Sequence, residues 1–382
     1  MSTVLRSSLR RFGTSIFSTI TELAIRQQAT NLAQGFPDFD PPEQLLAAAA
    51  AALQGGFSQY APSIGYPDLR RAIAAHQADQ YGQRWDPDTE VTVTVGATEA
   101  IWSTVHALVE PGDEVVLLEP CYDMYPPCVV AAGGVPRVVG TTGFPDFRLD
   151  LDRLADTIGP RTRLVIVNTP WNPVGRRLGA DELRVLGELC QRHGVYVVAD
   201  ETYEHVVFDG AAHRPVVSEP ALAERTVSVS SVSKTFSATG WRVGWATAPA
   251  ELTDAVRRVH QFVTFTAPSP LQHAVAVLLD QAGPDFYRQL TVDYTERRDT
   301  LLAYLVKTDL EVARPEGAYF VMTRCAGDEL DYCRELVQRA SVAAIPASAF
   351  FADPADGRGL VRFAFCKRLE TLRQAGERLT AR

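Results

Sequence analysis

Side chains capable of acid–base and anion-binding chemistry follow several short β-branched segments of the sequence. Each segment has the length and composition of a buried strand, and ligands of open α/β sheets bind just beyond the carboxyl ends of such strands. Taken singly, each side chain has an ordinary explanation, such as a helix cap for Thr98 or an ion pair for Arg242. Together they provide an acid, a phenol, an amine, a guanidinium and a helix start suited to phosphate. The residues are Ala97, Thr98, Asn172, Asp200, Tyr203, Ser231, Lys234 and Arg242.

This combination matches the requirements of pyridoxal 5'-phosphate. The aldehyde needs a lysine for a Schiff base, the ring nitrogen needs a carboxylate, and the phosphate needs N–H and cationic ligands. A carboxylate beside the ring nitrogen raises the pKa of that nitrogen, and the resulting pyridinium accepts electrons better than a neutral pyridine. We therefore expect a pyridoxal-phosphate site at one edge of the sheet.

The basic residues are divided unevenly, with 34 arginines and three lysines among 382 residues. Arginine neither forms a Schiff base nor loses its proton near neutral pH, whereas lysine can do both. Lys307 ends a charged helical pattern and Lys367 belongs to a Lys-Arg pair, so we expect both to be solvated. The remaining lysine, Lys234, follows a predicted strand and is the candidate catalytic amine.

The segments that must position these side chains alternate between short strands and longer helical patterns, which is typical of a parallel α/β sheet. After residue 280 a charged helix and shorter strands predict a second, smaller α+β domain. We expect a large domain at 36–280 and a small domain formed by 1–35 and 281–382, with the first helix packed on the small domain or on a neighbouring subunit. The predicted strands are Val91–Val95, Glu114–Leu118, Leu164–Asn168, Tyr196–Ala199, Thr226–Ser230, Val243–Thr247, Tyr319–Met322 and Leu360–Phe365.

Composition argues against several other classes of protein. The formal net charge of −9 gives no broad cationic surface for nucleic acid. The apolar run Leu45–Leu53 is far shorter than the roughly 20 residues that span a bilayer, so no membrane span is expected. The six cysteines lack a zinc-ligand spacing. We therefore expect no metal site, and reduced structural thiols in a cytoplasmic enzyme.

The beginning of the sequence admits two interpretations. Residues 1–21 contain Arg6, Arg10 and Arg11 with several Ser and Thr and no acid, which is the composition of a transit peptide. An ordinary N-terminal arm and first helix is favoured, because no cleavable apolar core is present. Residues 1–31 are expected to be too short for the DNA-binding segment of a non-catalytic pyridoxal-phosphate regulator. A dehydrogenase is disfavoured because no G-x-G-x-x-G follows a strand.

From about Phe12 to its C-terminus the sequence resembles the class I aminotransferases of the fold type I pyridoxal-phosphate enzymes. It is most similar to the branch that contains kynurenine, glutamine–phenylpyruvate and bacterial methionine aminotransferases. The resemblance implies an α/β fold with a mostly parallel seven-stranded sheet and a smaller α+β domain. The segments that carry it are Asn31-Leu-Ala-Gln-Gly-Phe-Pro-Asp-Phe39, Gln59-Tyr-Ala-Pro62, Gly96-Ala-Thr-Glu-Ala100, Asn168-Thr-Pro-Trp-Asn-Pro173, Asp200-Glu-Thr-Tyr203, Ser231-Val-Ser-Lys-Thr-Phe236 and Gly240-Trp-Arg242.

The resemblance also implies roles for the cofactor-binding residues. Lys234 would form the Schiff base, and Asp200 would pair with the ring nitrogen. Tyr203 and Asn172 would hydrogen-bond the phenolic oxygen of the ring, and Tyr122 would stack on the ring, where many relatives have Phe. The phosphate would be held by Ala97, Thr98, Ser231 and Arg242, and by Tyr60 of a second subunit, which implies a homodimer with shared active sites.

On the substrate side, Arg362 matches the arginine that binds the substrate carboxylate. Its neighbours Arg358 and Arg368 are expected to be solvated. Gly35 would allow close backbone approach, and Phe17 is either an aromatic residue over the substrate side chain or a core residue.

The resemblance implies ping-pong transfer of an amino group from a neutral, apolar or aromatic amino acid to a 2-oxo acid. Kynurenine, methionine, glutamine and phenylalanine are the expected types of donor. Action on N-succinyl-diaminopimelate, or cysteine S-conjugate β-lyase activity at the same site, remains an alternative.

Overall fold

The computed structural model describes residues 6–10, 12–13 and 16–381, except for the side chain of Phe17. The helices are, in chain order, α1 (Ile16–Arg26), α2 (Glu43–Gln54), α3 (Pro67–Tyr81), α4 (Gly96–Leu108), α5 (Tyr125–Ala132), α6 (Leu151–Thr157), α7 (Ala180–His193), α8 (Val232–Thr235), α9 (Ala250–Val263), α10 (Ser269–Gln281), α11 (Pro284–Leu305), α12 (Glu329–Ala340) and α13 (Leu369–Thr380).

The strands form three sheets. In chain order they are β1 (Thr30–Asn31), β2 (Val91–Thr94), β3 (Glu114–Leu118), β4 (Val135–Val139), β5 (Thr162–Asn168), β6 (Tyr196–Asp200), β7 (Thr226–Ser231), β8 (Gly244–Thr247), β9 (Glu311–Val312), β10 (Phe320–Arg324), β11 (Val342–Ala343), β12 (Ile345–Pro346) and β13 (Leu360–Ala364).

The largest sheet has seven strands in the order β2-β8-β7-β6-β5-β3-β4. Strand β8 is antiparallel to both of its neighbours, and the pairs from β7 to β4 are parallel. The predicted mostly parallel seven-stranded α/β sheet is therefore confirmed. The chain segments that follow β2, β5, β6 and β7, and the segment that precedes β8, all lie at the same edge of the sheet.

The helices between these strands begin and end where local chemistry favours it. Helix α7 ends at Gly194, which adopts the left-handed conformation with φ of 69° that glycine tolerates at a helix C-terminus. Helix α6 begins at Asp150, whose side chain accepts a hydrogen bond from the Arg153 amide at 2.9 Å. Helix α4 begins directly after β2 at Gly96, so its first turn lies at the edge of the sheet.

The C-terminal part of the chain forms a four-stranded antiparallel sheet in the order β12-β13-β10-β9. Strand β1 pairs with β11 in parallel, so the segment after α1 is attached to this part of the molecule. Ile20 and Ala24 of α1 are buried in the same apolar cluster as Phe363. Helix α1 thus packs against the C-terminal part, and the division into domains at residues 36 and 281 stays a prediction.

Within the described ranges, no helix combines the length and the apolar composition that crossing a membrane would require. The longest, α11, carries several charged side chains and packs against α13.

Candidate active site

A cleft of about 510 Å³ lies between the seven-stranded sheet and the C-terminal sheet. It is lined by eleven residues that the sequence predicted for the site: Gly35, Ala97, Thr98, Tyr122, Asn172, Asp200, Tyr203, Ser231, Lys234, Arg242 and Arg362.

Asp200 is the last residue of β6 and is 7% exposed. Its Oδ2 accepts a hydrogen bond from the Tyr125 hydroxyl at 2.7 Å, and its Oδ1 accepts one from the Thr202 hydroxyl at 2.9 Å. Burial raises the pKa of the Asp200 carboxyl group, and these donors and the Lys234 ammonium act in the opposite direction. The site thus contains a buried carboxylate that a cationic ring nitrogen would further stabilise.

Lys234 lies in α8, a single turn that follows β7. Burial lowers the pKa of its amine to about 8, and the guanidinium groups of Arg242 and Arg362 act in the same direction. Its Nζ donates to the Gly35 carbonyl oxygen at the long distance of 3.5 Å. An amine with this pKa is neutral in a substantial fraction of molecules near pH 7 to 8, and can serve as a nucleophile or a base.

The first turn of α4 and Arg242 form a site suited to a phosphate. Arg242 Nη2 lies 3.4 Å from Thr98 Oγ1, and Ser231 lines the same end of the cleft. Arg242 adopts a left-handed backbone conformation with φ of 53° just before β8. A Cβ atom on Gly244 would lie 2.7 Å from the Ala97 backbone nitrogen. Strand β8 can therefore approach the start of α4 this closely only because residue 244 is a glycine. The unpaired amides of the helix start and the guanidinium favour an anion here.

Arg362 lies on β13 and is 1% exposed. Its Nη1 donates to Asn172 Oδ1 at 2.7 Å, and its Nη2 donates to the Ala33 carbonyl oxygen at 2.8 Å. The guanidinium carbon lies 4.0 Å from the ring centroid of Phe320. Burial lowers its pKa to about 10, which still leaves the group charged at neutral pH. These contacts orient a cation for a carboxylate in the cleft.

The segment after β1 forms the wall of the cleft that faces Lys234. A Cβ atom on Gly35 would lie 2.6 Å from the Phe320 ring, so a larger side chain does not fit. The Tyr319 hydroxyl donates to the Gly35 carbonyl oxygen at 2.5 Å. Lys367 donates to the Phe36 carbonyl oxygen at 2.7 Å and is 3% exposed. The expectation that Lys367 is solvated is therefore wrong, because its aliphatic stem and its amine are enclosed by this segment.

Tyr60 does not line the cleft of this chain. Tyr60 is 83% exposed and packs edge-on against Phe265, with 5.3 Å between the ring centroids. Phe17 belongs to α1, but its side chain lies outside the described part of the structure. Arg358 and Arg368 are exposed, as expected.

Several residues that line the cleft, and Tyr125 behind its lining, were not singled out from the sequence. Thr202 and Tyr125 hold Asp200, and Asn168 connects the ends of β5 and β6 by donating to the Asp200 carbonyl oxygen at 2.8 Å. Tyr125 gave no sequence signal, because it lies within a helix far along the chain from Asp200. The remaining additional lining residues are Gln34, Phe36, Ile101, Asp123, Ser233, Thr239 and Phe320.

Behind the sheet edge, His76, Glu204 and His205 bring three metal-ligand-type atoms within 4.8 Å of one another. The Nε2 atoms of the two histidines are 3.0 Å apart, and the Tyr287 hydroxyl lies 3.2 Å from His76 Nδ1. Burial lowers the pKa of His76 to about 4 and that of His205 well below its usual range. Both rings are thus uncharged, and a shared hydrogen bond accounts for their proximity.

The cleft therefore combines the groups that pyridoxal 5'-phosphate requires. The buried Asp200 carboxylate suits its ring nitrogen, the Lys234 amine suits its aldehyde, and the anion site at the start of α4 suits its phosphate. The residues present fit this group in type and in arrangement.

Comparison with known proteins agrees with this chemistry. The model of the family aminotransferase class I and II matches residues 27–379. The chain is 44% identical to the probable N-succinyldiaminopimelate aminotransferase DapC of Mycobacterium tuberculosis H37Rv, over 98% of this chain and 97% of that protein. It is 34% identical to a kynurenine–oxoglutarate transaminase of Dictyostelium discoideum, over 96% and 94% of the two chains.

A solved structure from Escherichia coli, described as having a methionine aminotransferase function, shares the fold with a TM-score of 0.95. It is 40% identical in sequence, and the match covers 99% of this chain and 100% of that chain. The predicted resemblance, enzyme class and cofactor are confirmed. The chain belongs to the class I and II aminotransferases, enzymes that use pyridoxal 5'-phosphate.

Proposed function

We propose that this aminotransferase moves the amino group of a neutral, apolar or aromatic amino acid, of the kynurenine, methionine, glutamine or phenylalanine type, to a 2-oxo acid. The observation that supports this proposal is the small number of cationic side chains in the cleft. Among its described lining residues the cations are Lys234, Arg242 and Arg362. Each has a role in binding the cofactor or the substrate α-carboxylate, so no further cation is left for a distal carboxylate. Phe36 and Phe320 instead offer apolar contacts.

We assign the cofactor contacts as follows. Asp200 pairs with the ring nitrogen, and Tyr203 and Asn172 hydrogen-bond the phenolic oxygen. Tyr122 stacks on the ring. The phosphate is held by the Ala97 and Thr98 amides, Ser231 and Arg242, and by Tyr60 of a second subunit. The depth of Asp200 in the cleft and the short distance from Arg242 to Thr98 support these assignments.

Bound pyridoxal 5'-phosphate supplies an electron-accepting ring that stabilises negative charge at the substrate α-carbon. With the cofactor bound, Lys234 Nζ would take the proton from that carbon and would give it up again to the carbon that carried the aldehyde. The lowered pKa of Lys234 supports both steps, because an amine with a pKa of about 8 can accept and release a proton near neutral pH. Hydrolytic release of the donor as its 2-oxo acid, before the acceptor 2-oxo acid binds, would make the kinetics ping-pong.

Arg362 orients the donor through its α-carboxylate, with Asn172 fixing the guanidinium and Gly35 leaving room for the backbone of the substrate. The buried hydrogen bond between Arg362 and Asn172 supports this arrangement. Phe17 remains a candidate for contact with the donor side chain.

The proposal is tested by purifying the protein, recording the visible absorption of the cofactor bound to Lys234, and assaying a panel of donors with 2-oxoglutarate and an aromatic oxo acid. We expect the best kcat/KM with neutral apolar or aromatic donors, and loss of transamination in Lys234→Ala. Activity confined to glutamate and aspartate would contradict the proposed donor class. Wild-type turnover by Lys234→Ala would contradict the role of the amine.

A second candidate donor is N-succinyl-diaminopimelate, because the DapC relative matches over nearly the full length of both chains. Such a donor carries further carboxylates, for which the described cleft residues of one chain offer no additional cation. Including it in the panel separates the two candidates: a kcat/KM well above that of methionine or phenylalanine would favour this second donor.

We also propose a homodimer with shared active sites. Tyr60, Phe262, Val263 and Phe265 form an exposed aromatic and apolar surface, and Phe262 is 86% exposed. Exposed patches of this kind are typical of protein interfaces. For the location we propose the cytoplasm, because all six cysteines are free and buried, which suits a reducing compartment.

A further inference from the structure

Lys367 is buried in a protein that otherwise uses arginine for nearly all of its fixed positive charges. Its Nζ lies 2.7 Å from the Phe36 carbonyl oxygen and 4.0 Å from the centroid of the Phe36 ring. One amine thus contacts both the backbone and the side chain of a single residue. Burial lowers its pKa, and the Asp38 carboxylate acts in the opposite direction.

The residue that Lys367 contacts belongs to the wall of the active-site cleft. Phe36 is 41% exposed and lines the cleft. Two carbonyl groups that precede it in this segment are also held: Arg362 binds that of Ala33, and Tyr319 binds that of Gly35. Lys367 therefore completes a set of three side chains that fix the backbone from residue 33 to residue 36.

The chain on both sides of this contact is anchored independently. The Arg368 amide donates to Asp38 Oδ1 at 2.5 Å, and the Thr371 hydroxyl donates to Asp38 Oδ2 at 2.6 Å. These bonds attach the far end of the segment to the start of α13. Loss of the Lys367 amine would therefore release Phe36 locally and leave the segment attached at both ends.

We propose that Lys367 is a positioning residue, which holds the Phe36 backbone and ring at the cleft wall and thereby determines which donor side chains fit. A compact amine can reach a carbonyl oxygen and the adjacent ring face at the same time. Phe36 in turn contributes an apolar surface that the donor side chain contacts, so the position of the ring affects which donors bind. The kinetic part of this inference rests on the proposed aminotransferase donor class, whereas the structural part does not.

The first test measures the segment itself by hydrogen–deuterium exchange of the purified protein. Lys367→Met removes the amine and keeps the length of the side chain. Lys307→Met is the matched control, because Lys307 is exposed and lies over the Tyr304 ring away from the cleft. We expect faster exchange in the peptide covering residues 33–38 for Lys367→Met only. Unchanged exchange there, or an equal increase throughout the protein, would overturn the proposal.

The second test compares a bulky aromatic donor with a small one. We expect Lys367→Met to change the ratio of their kcat/KM values by about tenfold, the discrimination that one apolar pocket contact typically supplies. The change should arise mainly in KM. Phe36→Ala should shift the same ratio, and adding Lys367→Met to Phe36→Ala should then have little further effect. Independent, additive effects would overturn a role exerted through Phe36.

If Lys367→Met fails to fold, Phe36→Ala and Lys367→Arg test the same wall. The first removes the ring that Lys367 contacts, and the second replaces the compact amine by a larger planar guanidinium. A donor ratio that changes in both variants supports the proposal, and a wild-type ratio in both overturns it. A wild type that transaminates none of the donors would refute the proposed function, yet the exchange experiment would still decide the role of Lys367.

Discussion

Asp200 must stay ionised in a buried position, and its two hydroxyl donors make this possible. Burial raises the pKa of a carboxyl group, whereas donors to the charged form lower it. Of the two, Tyr125 is the more informative to remove, because it contacts Asp200 Oδ2 from α5 and is itself 2% exposed.

We expect Tyr125→Phe to raise the pKa of Asp200 and to move the acid limb of the pH profile of kcat/KM to higher pH. Losing a hydrogen bond to a buried charged group costs about 1.5–3 kcal/mol, which corresponds to a shift of about one to two pKa units. The direction follows because the active form is the carboxylate, which is lost as pH falls through its pKa. Tyr287→Phe, which removes a buried hydroxyl near His76, is the control and should leave the limb in place. An unshifted limb in Tyr125→Phe would contradict the role of this bond.

At the scale of elements, strand positions were the most predictable part of the fold. The runs that became β3, β5, β6 and β7 contain several β-branched residues each and are mostly buried, so composition identified them within two residues of their ends. Strand β4 was missed, because it contains Pro136 and alternates with exposed residues at the edge of the sheet. The short strands β1 and β11 have no periodicity of their own, since they exist only by pairing with each other.

The same contrast holds within the candidate site. Residues that follow strands were found because strand ends share one edge of the sheet. Tyr125 and Lys367 were not, because each reaches the site from an element whose position depends on tertiary packing. A charged pair such as Lys367-Arg368 is usually solvated. Lys367 is buried only because the segment 33–38 passes over the connection between β13 and α13, which the sequence does not reveal.

The close approach of β8 to the start of α4 should control cofactor affinity. A Cβ atom at Gly244 would lie 2.6 Å from the Gly96 carbonyl carbon, so Gly244→Ala must push the strand away from the phosphate-binding turn. We expect the Kd for pyridoxal 5'-phosphate to rise at least about tenfold, as expected when an anion site loses its geometry. Gly240→Ala is the matched control, because a Cβ atom there meets nothing within 4 Å. Equal affinities of the two variants, measured by fluorescence titration, would contradict this view.

At the scale of the whole molecule, the exposed Tyr60 side chain raises the question of which active site it belongs to. Its side chain is 83% exposed, and the apolar neighbours Phe262 and Phe265 extend the same surface. Tyr60 does not line the cleft of its own chain, whereas the start of α4 and Arg242 do. A second copy related by a two-fold axis could bring its Tyr60 to that phosphate site, since a two-fold interface presents the same patch from both subunits.

A mixing experiment distinguishes shared sites from separate ones. We expect Lys234→Ala and Tyr60→Ala each to lose most of their activity. If each site takes Lys234 from one subunit and Tyr60 from the other, a mixed dimer of the two variants contains one site with both residues intact. Unfolding and refolding the variants together at equal concentration should then restore about a quarter of the wild-type activity, since random pairing makes half of the dimers mixed and each mixed dimer has one intact site of two.

The control mixes Lys234→Ala with Asp200→Ala. Both residues belong to the cleft of one chain, so every site in a mixed dimer lacks one of them. Activity recovered in the control, or none recovered with Tyr60→Ala, would show that the sites are not shared through this tyrosine.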